Sequence, residues 1–586
     1  MTQMPSPDEL IDAALVYTRH GQRLLAAEPA LRDALRDGLE RPYQRDEMQA
    51  FLAAQAINDE ADLKRALRTL KKHVALRLMV RDLCGLGDLT EVMHSISQLA
   101  ELALQEALRR LSQWQQADYG TPIGAESGET QELIVVGMGK LGGFELNVSS
   151  DIDLIYIYPE DGQAGKLSNH EYFTKLAQKL TQAISEFTAD GYVFRVDLRL
   201  RPYGESGPVV SSFAMLEAYF LTQGREWERY AWIKARALSG DAQGLQQLAY
   251  PFVYRKYLDY GAFASMRSLH AQIRREVARR DLAENIKLGP GGIREIEFIA
   301  QVFQLIRGGK EAGLQLRPTR ATLDAVAARN LLPPETVAQL QRAYELLRKL
   351  EHRLQYLDDA QTQALPENDI DRALIAEAMG AESWEALKTT LDAVRALVDM
   401  HFGKIFSTEE QPVDHASPWF NDEEAPSALV EFGYADPAAA AEQLQRFKHS
   451  QRYRSLPATS QARLDLLMPR IIEISAQHGQ ANETLSRMIA LLEAISRRES
   501  YLALLTEYPD TLNHVARVCG ASGWAAHYLT QHPIFLDELL DTRDLMQQRD
   551  WPQLAQQLRQ TLDDFPDPER QMDTLRHFKH AQTFHL

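Results

Sequence analysis

Apolar residues recur at three- and four-residue spacing along most of this chain, and they alternate in only two short stretches. From about Pro7 to Trp114 the spacing predicts helices. Leu63, Leu67, Leu70, Val74 and Leu78 form one stripe, and Leu99, Leu102, Leu104 and Leu108 a looser one. Lys64, Arg65, Arg68, Lys71 and Lys72 fall between the stripe positions and read as a solvated helix face. Alternation begins in Glu132–Tyr158, which reads as strand, glycine-rich turn, at most one or two helical turns, and a second strand. It returns in Tyr192–Arg201, with Phe194, Val196, Leu198 and Leu200 on one face and Arg195, Asp197, Arg199 and Arg201 on the other. Between the two lies a predicted helix from about His170 to Asp190, with Phe173, Leu176, Leu180, Ile184 and Phe187 inward and Gly191 as its stop.

Beyond Pro202 the helical period takes over again. Tyr203–Pro208 reads as a loop suited to lie over a ligand, and Arg225–Arg236 as a helix with Trp227, Tyr230 and Lys234 on one side. Lys287–Gly292 breaks the chain and leads into a helix near Ile293, whose free N–H groups are a candidate anion site. Arg294 stands in that first turn against the helix dipole, which suggests a task elsewhere, such as a ligand's phosphate. Asp369–Asp371 follows Pro366 and Asn368 and reads as an acidic helix start. Helical spacing dominates Glu335–Asp358 and everything from Leu464 on, and Pro412–Pro426 reads as a linker. The expected division is a helical region 1–116, a catalytic core 117–310, a helical domain 311–411, a linker 412–426 and a helical region 427–586.

Composition narrows this picture. A chain of 586 residues is too long for one core. A net charge of −18 argues against general nucleic-acid binding and suits a protein partner. The two cysteines, Cys84 and Cys519, the lack of a signal-peptide pattern and the lack of a membrane-length apolar run predict a soluble cytoplasmic protein with no membrane partner. His577 and His580 have no Cys or acid nearby to complete a zinc site.

The candidate chemistry lies in Asp151-Ile152-Asp153, which opens the second strand. Residues two apart on a strand share a face, so both carboxylates project together. At 4 Å two such charges repel by about 4 kcal/mol at an effective dielectric near 20. A fold that keeps them neutralises them with a proton or with a hard, oxygen-loving cation such as Mg²⁺. Gly137-Met-Gly139-Lys-Leu-Gly142 matches a dinucleotide-binding fingerprint, but the nine residues between Gly142 and Ile152 leave no room for the crossover helix which that fold requires. Asp197 is a third acid. By itself its strand reads as half-exposed with a solvated basic face; beside the Asp151/Asp153 strand the same face offers one more carboxylate. For Lys234, ordinary packing and phosphate or adenine contact stand as alternatives.

Glycine turn, D-x-D strand and a later single acid together resemble the nucleotidyltransferase superfamily that includes DNA polymerase β. The strings GMGKLGGFELNVSSDIDL, RVDLRLRPYGESGP, EWERYAWIKARALSGD and KLGPGGIREIEF are similar to those of the glutamine synthetase adenylyltransferase/adenylyl-removing family. The resemblance implies a predominantly α protein with one α+β nucleotidyltransferase core, a small mixed sheet carrying D-x-D, and helical bundles. It implies two Mg²⁺ ions on Asp151, Asp153 and Asp197. Gly142, Gly143 and Ser150 would lie beside the phosphates, with Arg199, Arg201, Lys234 and Arg294 as candidate phosphate contacts. Glutamine synthetase is the implied protein substrate, with phosphate and ADP or ATP as small partners and PII signal protein and glutamine as effectors. Phosphorolytic removal of AMP from an adenylyl-tyrosine is the leading expectation; ATP-dependent addition and a silent regulatory module are the competing ones. Family chains carry two such domains, so Leu575–His580, which echoes Leu67–Lys72, suggests that a second copy's prefix begins there and that the chain is a fragment.

Overall fold

The computed structural model describes residues 5–255, 261–279, 282–406, 417–478, 480–507, 509–539, 551–563 and 568–585. Those up to 255 and from 265 to 406 form one compact unit, and those from 417 onward belong to a second. The fold is mostly α with a small mixed sheet, as the sequence pattern predicts. Among the described residues no helix is long and apolar enough to cross a membrane.

In the first unit the predicted N-terminal helical region is a set of helices ending in two long ones, Glu60–Leu83 and Leu89–Tyr119. Their stripes are buried, but the basic face between them is not simply solvated. Arg68 is 1% exposed, and its guanidinium donates to the carbonyls of Gly191 (2.8 Å), Ala183 (3.0 Å) and Glu186. Lys71 is buried over the Tyr192 ring at 4.2 Å. Arg68 thus satisfies open carbonyls at the end of the Asn169–Ser185 helix, which periodicity along one helix does not reveal.

A small three-stranded sheet pairs β1 (Ile123–Gly124), β4 (Gly162–Ala164) and β5 (Leu167–Ser168). The main sheet has the order β6 (Val196–Asp197), β3 (Ile152–Tyr158), β2 (Ile134–Gly137), β8 (Arg236–Ala237), with β7 (Val210–Ser212) also beside β3. β2 and β3 are antiparallel, Gly137 opposite Leu154, and a single turn Gly139–Gly142 stands between them. Antiparallel neighbours need no crossover helix, so the dinucleotide fingerprint is a decoy. One continuous core joins the N-terminal helices to the sheet, from Ile11 through Leu78, Leu104, Ile152 and Phe173 to Tyr356.

Three predicted elements come out shorter. The helix after β5 is Asn169–Ser185; Phe173, Leu176, Leu180 and Ile184 are buried, but Phe187 lies past its end and is 79% exposed. Its polypeptide turns early at Thr188–Gly191, where Gly191 has φ +89°. The Tyr192–Arg201 alternation yields a strand of only Val196–Asp197, because the Arg199 N–H bonds the Asp197 carboxylate and bends the chain away. The predicted Arg225–Arg236 helix ends at Trp232, so that Arg236 joins β8 and pairs with Glu101 at 2.6 Å.

In the second unit the helical period is realised in Pro437–His449, Ala458–Gln477, Ala481–Ile495 and Pro509–Ala521, with Leu485, Met488, Ile489, Leu492 and Ile495 buried. Residues 412–416 of the linker reading lie outside the described residues. From Ser417 the chain packs into this unit: Trp419 is buried and its indole donates to Asp465 at 2.8 Å.

Candidate active site

β6 runs parallel to β3 with Asp153 beside Asp197 and Ile152 beside Val196. In-register neighbours on adjacent strands lie on the same face, so the sheet brings the second and third acids together. Asp151 precedes them at the strand's mouth. Beyond Asp153 every β3 side chain is buried, which leaves this end as the strand's open edge. The turn is tight against the carboxylates. Met138 N–H donates to the Asp153 carbonyl at 2.9 Å, and a Cβ on Gly139, whose φ is +50°, would lie 3.1 Å from Asp153 Oδ2.

The electrostatics follow from this crowding. Burial, and then the charges of Asp151 and Asp197, push the Asp153 carboxyl up to about 6, against the opposing pull of Lys287 and Arg199. Asp197 is held below its usual range by Arg199, whose Nε lies 2.8 Å from Oδ2 and whose backbone N–H lies 2.8 Å from Oδ1. Asp151 Oδ1 accepts from Gln361 Nε2 at 2.5 Å. Among the described residues no three His, Cys, Asp or Glu side chains form a ready-made cation cage. The donor set nevertheless fits Mg²⁺, which characteristically takes one or two carboxylates and completes its shell with water and substrate phosphate. Asp151 and Asp153 meet that description, while both oxygens of Asp197 are engaged by Arg199.

The predicted phosphate contacts divide. Arg199 belongs to the site, its charge acting on Asp197, Asp153 and Asp151. Gly142 and Gly143 are needed for close packing: a Cβ on Gly142 would sit 1.9 Å from the Lys234 carbonyl, and one on Gly143 3.1 Å from Glu145 Oε2. Ser150 is buried in the turn, its N–H directed to the Asn147 carbonyl at 3.3 Å. Lys234 is buried, and its ammonium is taken by Glu145 (2.6 Å), Glu297 (2.9 Å) and Thr319 (3.2 Å), so it supports the turn from behind. Arg201 folds back onto the carbonyls of Leu198, Glu205 and Gly207 and shapes the Tyr203–Pro208 loop. Arg294 lies 5.8 Å from the Phe298 ring. The start of its helix, Ile293–Arg307, is not an open anion site, because the N–H groups of Ile293 and Arg294 bond the carbonyls of Ile286 and Lys287, and Gly291 N–H bonds Glu295.

Sequence reasoning missed a second tier supplied by the Pro334–Tyr356 helix and the segment after it. Glu351, fully buried, accepts from Lys140 in the turn at 2.7 Å; burial pushes the Lys140 ammonium down to about 7, and the paired cations hold Glu351 well below the usual carboxylate range. Arg348, also fully buried, donates to the Glu145 carbonyl (2.6 Å) and to Asn147 Oδ1. His352, Arg353 and Tyr356 gather around the buried Asp82. One signal was present: Arg348, Glu351, His352 and Gln355 occupy the same stripe as Tyr344 and Leu347, and polar residues on an apolar stripe mark a buried network.

A family model described as glutamate-ammonia ligase adenylyltransferase matches residues 11–249 and 512–586, and one described as GlnD PII-uridylyltransferase matches residues 267–406. Relatives described as bifunctional glutamine synthetase adenylyltransferase/adenylyl-removing enzymes include that of Chromobacterium violaceum, 56% identical over 579 residues, 97% of this chain and 65% of the relative. That of Aromatoleum aromaticum is 52% identical over 591 residues, 99% of this chain and 63% of the relative. That of Nitrosomonas europaea is 47% identical over 603 residues, 98% and 65%. The chain therefore spans 63% to 65% of the length of these relatives.

Proposed function

Because the chain belongs to the glutamate-ammonia ligase adenylyltransferase family, we propose that its first unit removes adenylyl groups from glutamine synthetase by phosphorolysis. An oxygen of inorganic phosphate attacks the phosphorus of AMP bound to a tyrosine. The bond from phosphorus to the tyrosyl oxygen breaks, that oxygen takes a proton, and ADP leaves. The observation that carries this reading is the convergence of Asp151, Asp153 and Asp197 at one end of β3, crowded enough to raise Asp153 to about 6.

A divalent cation, Mg²⁺ in this proposal, would neutralise the carboxylates and stabilise charge on the attacking and leaving oxygens. Asp151 and Asp153 would hold it, with Asp197 completing the set. The chain's own residues do the rest. The Gly139 turn lets backbone approach Asp153 without a side chain in the way. Arg199, 70% exposed beside Asp197, is free to swing toward an incoming phosphate. The Lys140–Glu351 and Lys234–Glu145–Glu297 pairs fix the turn, so that it does not reorganise during the reaction. No side-chain nucleophile is required.

The match to a PII-uridylyltransferase model over residues 267–406 lends support to PII signal protein as an effector, with glutamine as a second. The test is direct. Adenylylated glutamine synthetase incubated with this chain, Mg²⁺ and phosphate is expected to yield ADP, and omission of phosphate to stop it. Incorporation of labelled AMP from ATP into unmodified glutamine synthetase, without phosphate-dependent release, would assign the opposite direction of transfer to this domain.

A further inference from the structure

The polypeptide leaving the Pro334–Tyr356 helix passes along the carboxylate turn, and the side chains of Asp359 and Gln361 touch polar groups there. Asp359 accepts from the Ser149 hydroxyl and from the Tyr192 hydroxyl at 3.3 Å, with the Lys71 ammonium 3.7 Å away. Gln361 Nε2 donates to Asp151 Oδ1 at 2.5 Å. The Gln363 carbonyl accepts from Ile286 N–H at 2.9 Å, and its amide reaches Glu351 at 3.4 Å. Ser149 and Asp151 are themselves two apart, so two successive rungs join this strap to the turn. The strap is held under constraint: Asp359 has φ +56°, a region that side chains other than Asn and Asp rarely enter and that persists where the surroundings over-determine it. Gln361 itself is exposed, so its hydrogen bond is not a by-product of burial.

We propose that Gln361 is a positioning residue of the active centre, its carboxamide holding one oxygen of Asp151 so that the carboxylate faces the divalent cation. This rests on the reading of Asp151 and Asp153 as cation ligands. The hydrogen bond fixes the orientation of a side chain that would otherwise rotate against its like-charged neighbour, as outer partners of metal ligands do.

The test uses the full chain and Mn²⁺ alone, with bound ion read from the loss of the free-ion paramagnetic resonance signal. Wild type is compared with Asp151→Asn, Gln361→Ala and Gln361→Met, the last keeping length but not the donor. The site is the binding that wild type has and Asp151→Asn lacks. Both Gln361 variants are expected to weaken it by about 10- to 100-fold. In turnover they should raise the Mg²⁺ concentration for half-maximal rate while kcat at saturating Mg²⁺ changes less. Because Gln361 is exposed, circular dichroism and melting should match wild type. Wild-type affinity in Gln361→Met would overturn the positioning role while leaving the cation reading intact. Equal binding by wild type and Asp151→Asn would overturn the cation reading itself, and this proposal with it.

Discussion

Asp153 is the residue on which the site's electrostatics converge. Burial and the neighbouring charges of Asp151 and Asp197 push its carboxyl up to about 6, above the value near 4 of an unfolded aspartate. The folded state therefore binds this proton more tightly than the unfolded one. The carboxylate costs nothing below the unfolded value and destabilises the fold as pH rises through about 6. The full difference is about 2–3 kcal/mol at most, because the carboxyl is only half-buried and solvent screens part of it. Asp153→Asn is thus expected to raise the melting temperature of cation-free protein at pH 7.5, and the gain should shrink at pH 5, where the wild-type group is already protonated. Melting curves at the two pH values decide it; equal gains at both would mean that relief of charge is not the cause. The same variant, and Asp151→Asn, should lose ADP release by about 10³-fold or more, since several kcal/mol of charge stabilisation disappear with the cation. Near-wild-type turnover in either would remove the carboxylate pair from the mechanism.

The elements around Asp153 were legible to different degrees. The β2–turn–β3 unit could be read because a two-residue period, two glycines and a short spacer all act locally. The Asp197 strand was recognised but overdrawn: ten alternating residues predicted a basic face, yet Arg195 bonds Tyr192 and the Ser149 carbonyl, Arg201 closes its own loop, and only Arg199 faces the acid. Charged side chains with long reach choose partners across space, and no period along the chain records that choice. Arg68 makes the same point from the other side. Read as a solvated residue, it collects the last carbonyls of the Asn169–Ser185 helix and the Gly191 turn, and so sets where the chain enters β6. Arg68→Met would leave those buried carbonyls without donors. A loss of about 3 kcal/mol in denaturant unfolding is expected, with Arg68→Lys recovering only part of it because an ammonium lacks the planar fork. Unchanged stability in Arg68→Met would show that water replaces the guanidinium.

At the scale of the whole molecule, the expected boundary at residue 310 meets the buried pairs Lys140–Glu351 and Glu145–Thr319 and the contact Asp151–Gln361, which all cross it. A chain ending at residue 411 is therefore expected to stay folded, bind Mn²⁺ and keep phosphate-dependent removal of AMP while losing its response to effectors. A chain ending at residue 310 should do none of these, because Arg348, Glu351 and Gln361 are gone. Sedimentation and ADP release from both chains test the pair of outcomes; an active 310-residue chain would make the second tier dispensable. Those crossing contacts also set an order of events. Ser149 and Asp359, like Asp151 and Gln361, are 210 residues apart along the chain. At about 5–20 residues per second a ribosome needs about 10–40 s to deliver the second partner after the first. Through that interval the β2–β3 turn has emerged with its repelling acids and without the strap or the Arg348 guanidinium that hold it. The acid cluster of the first unit thus gains its last contacts only after residue 361 has been made. A nascent chain stalled before Pro334 would contain every acid of the centre and is expected to bind Mn²⁺ no better than the Gln361 variants do.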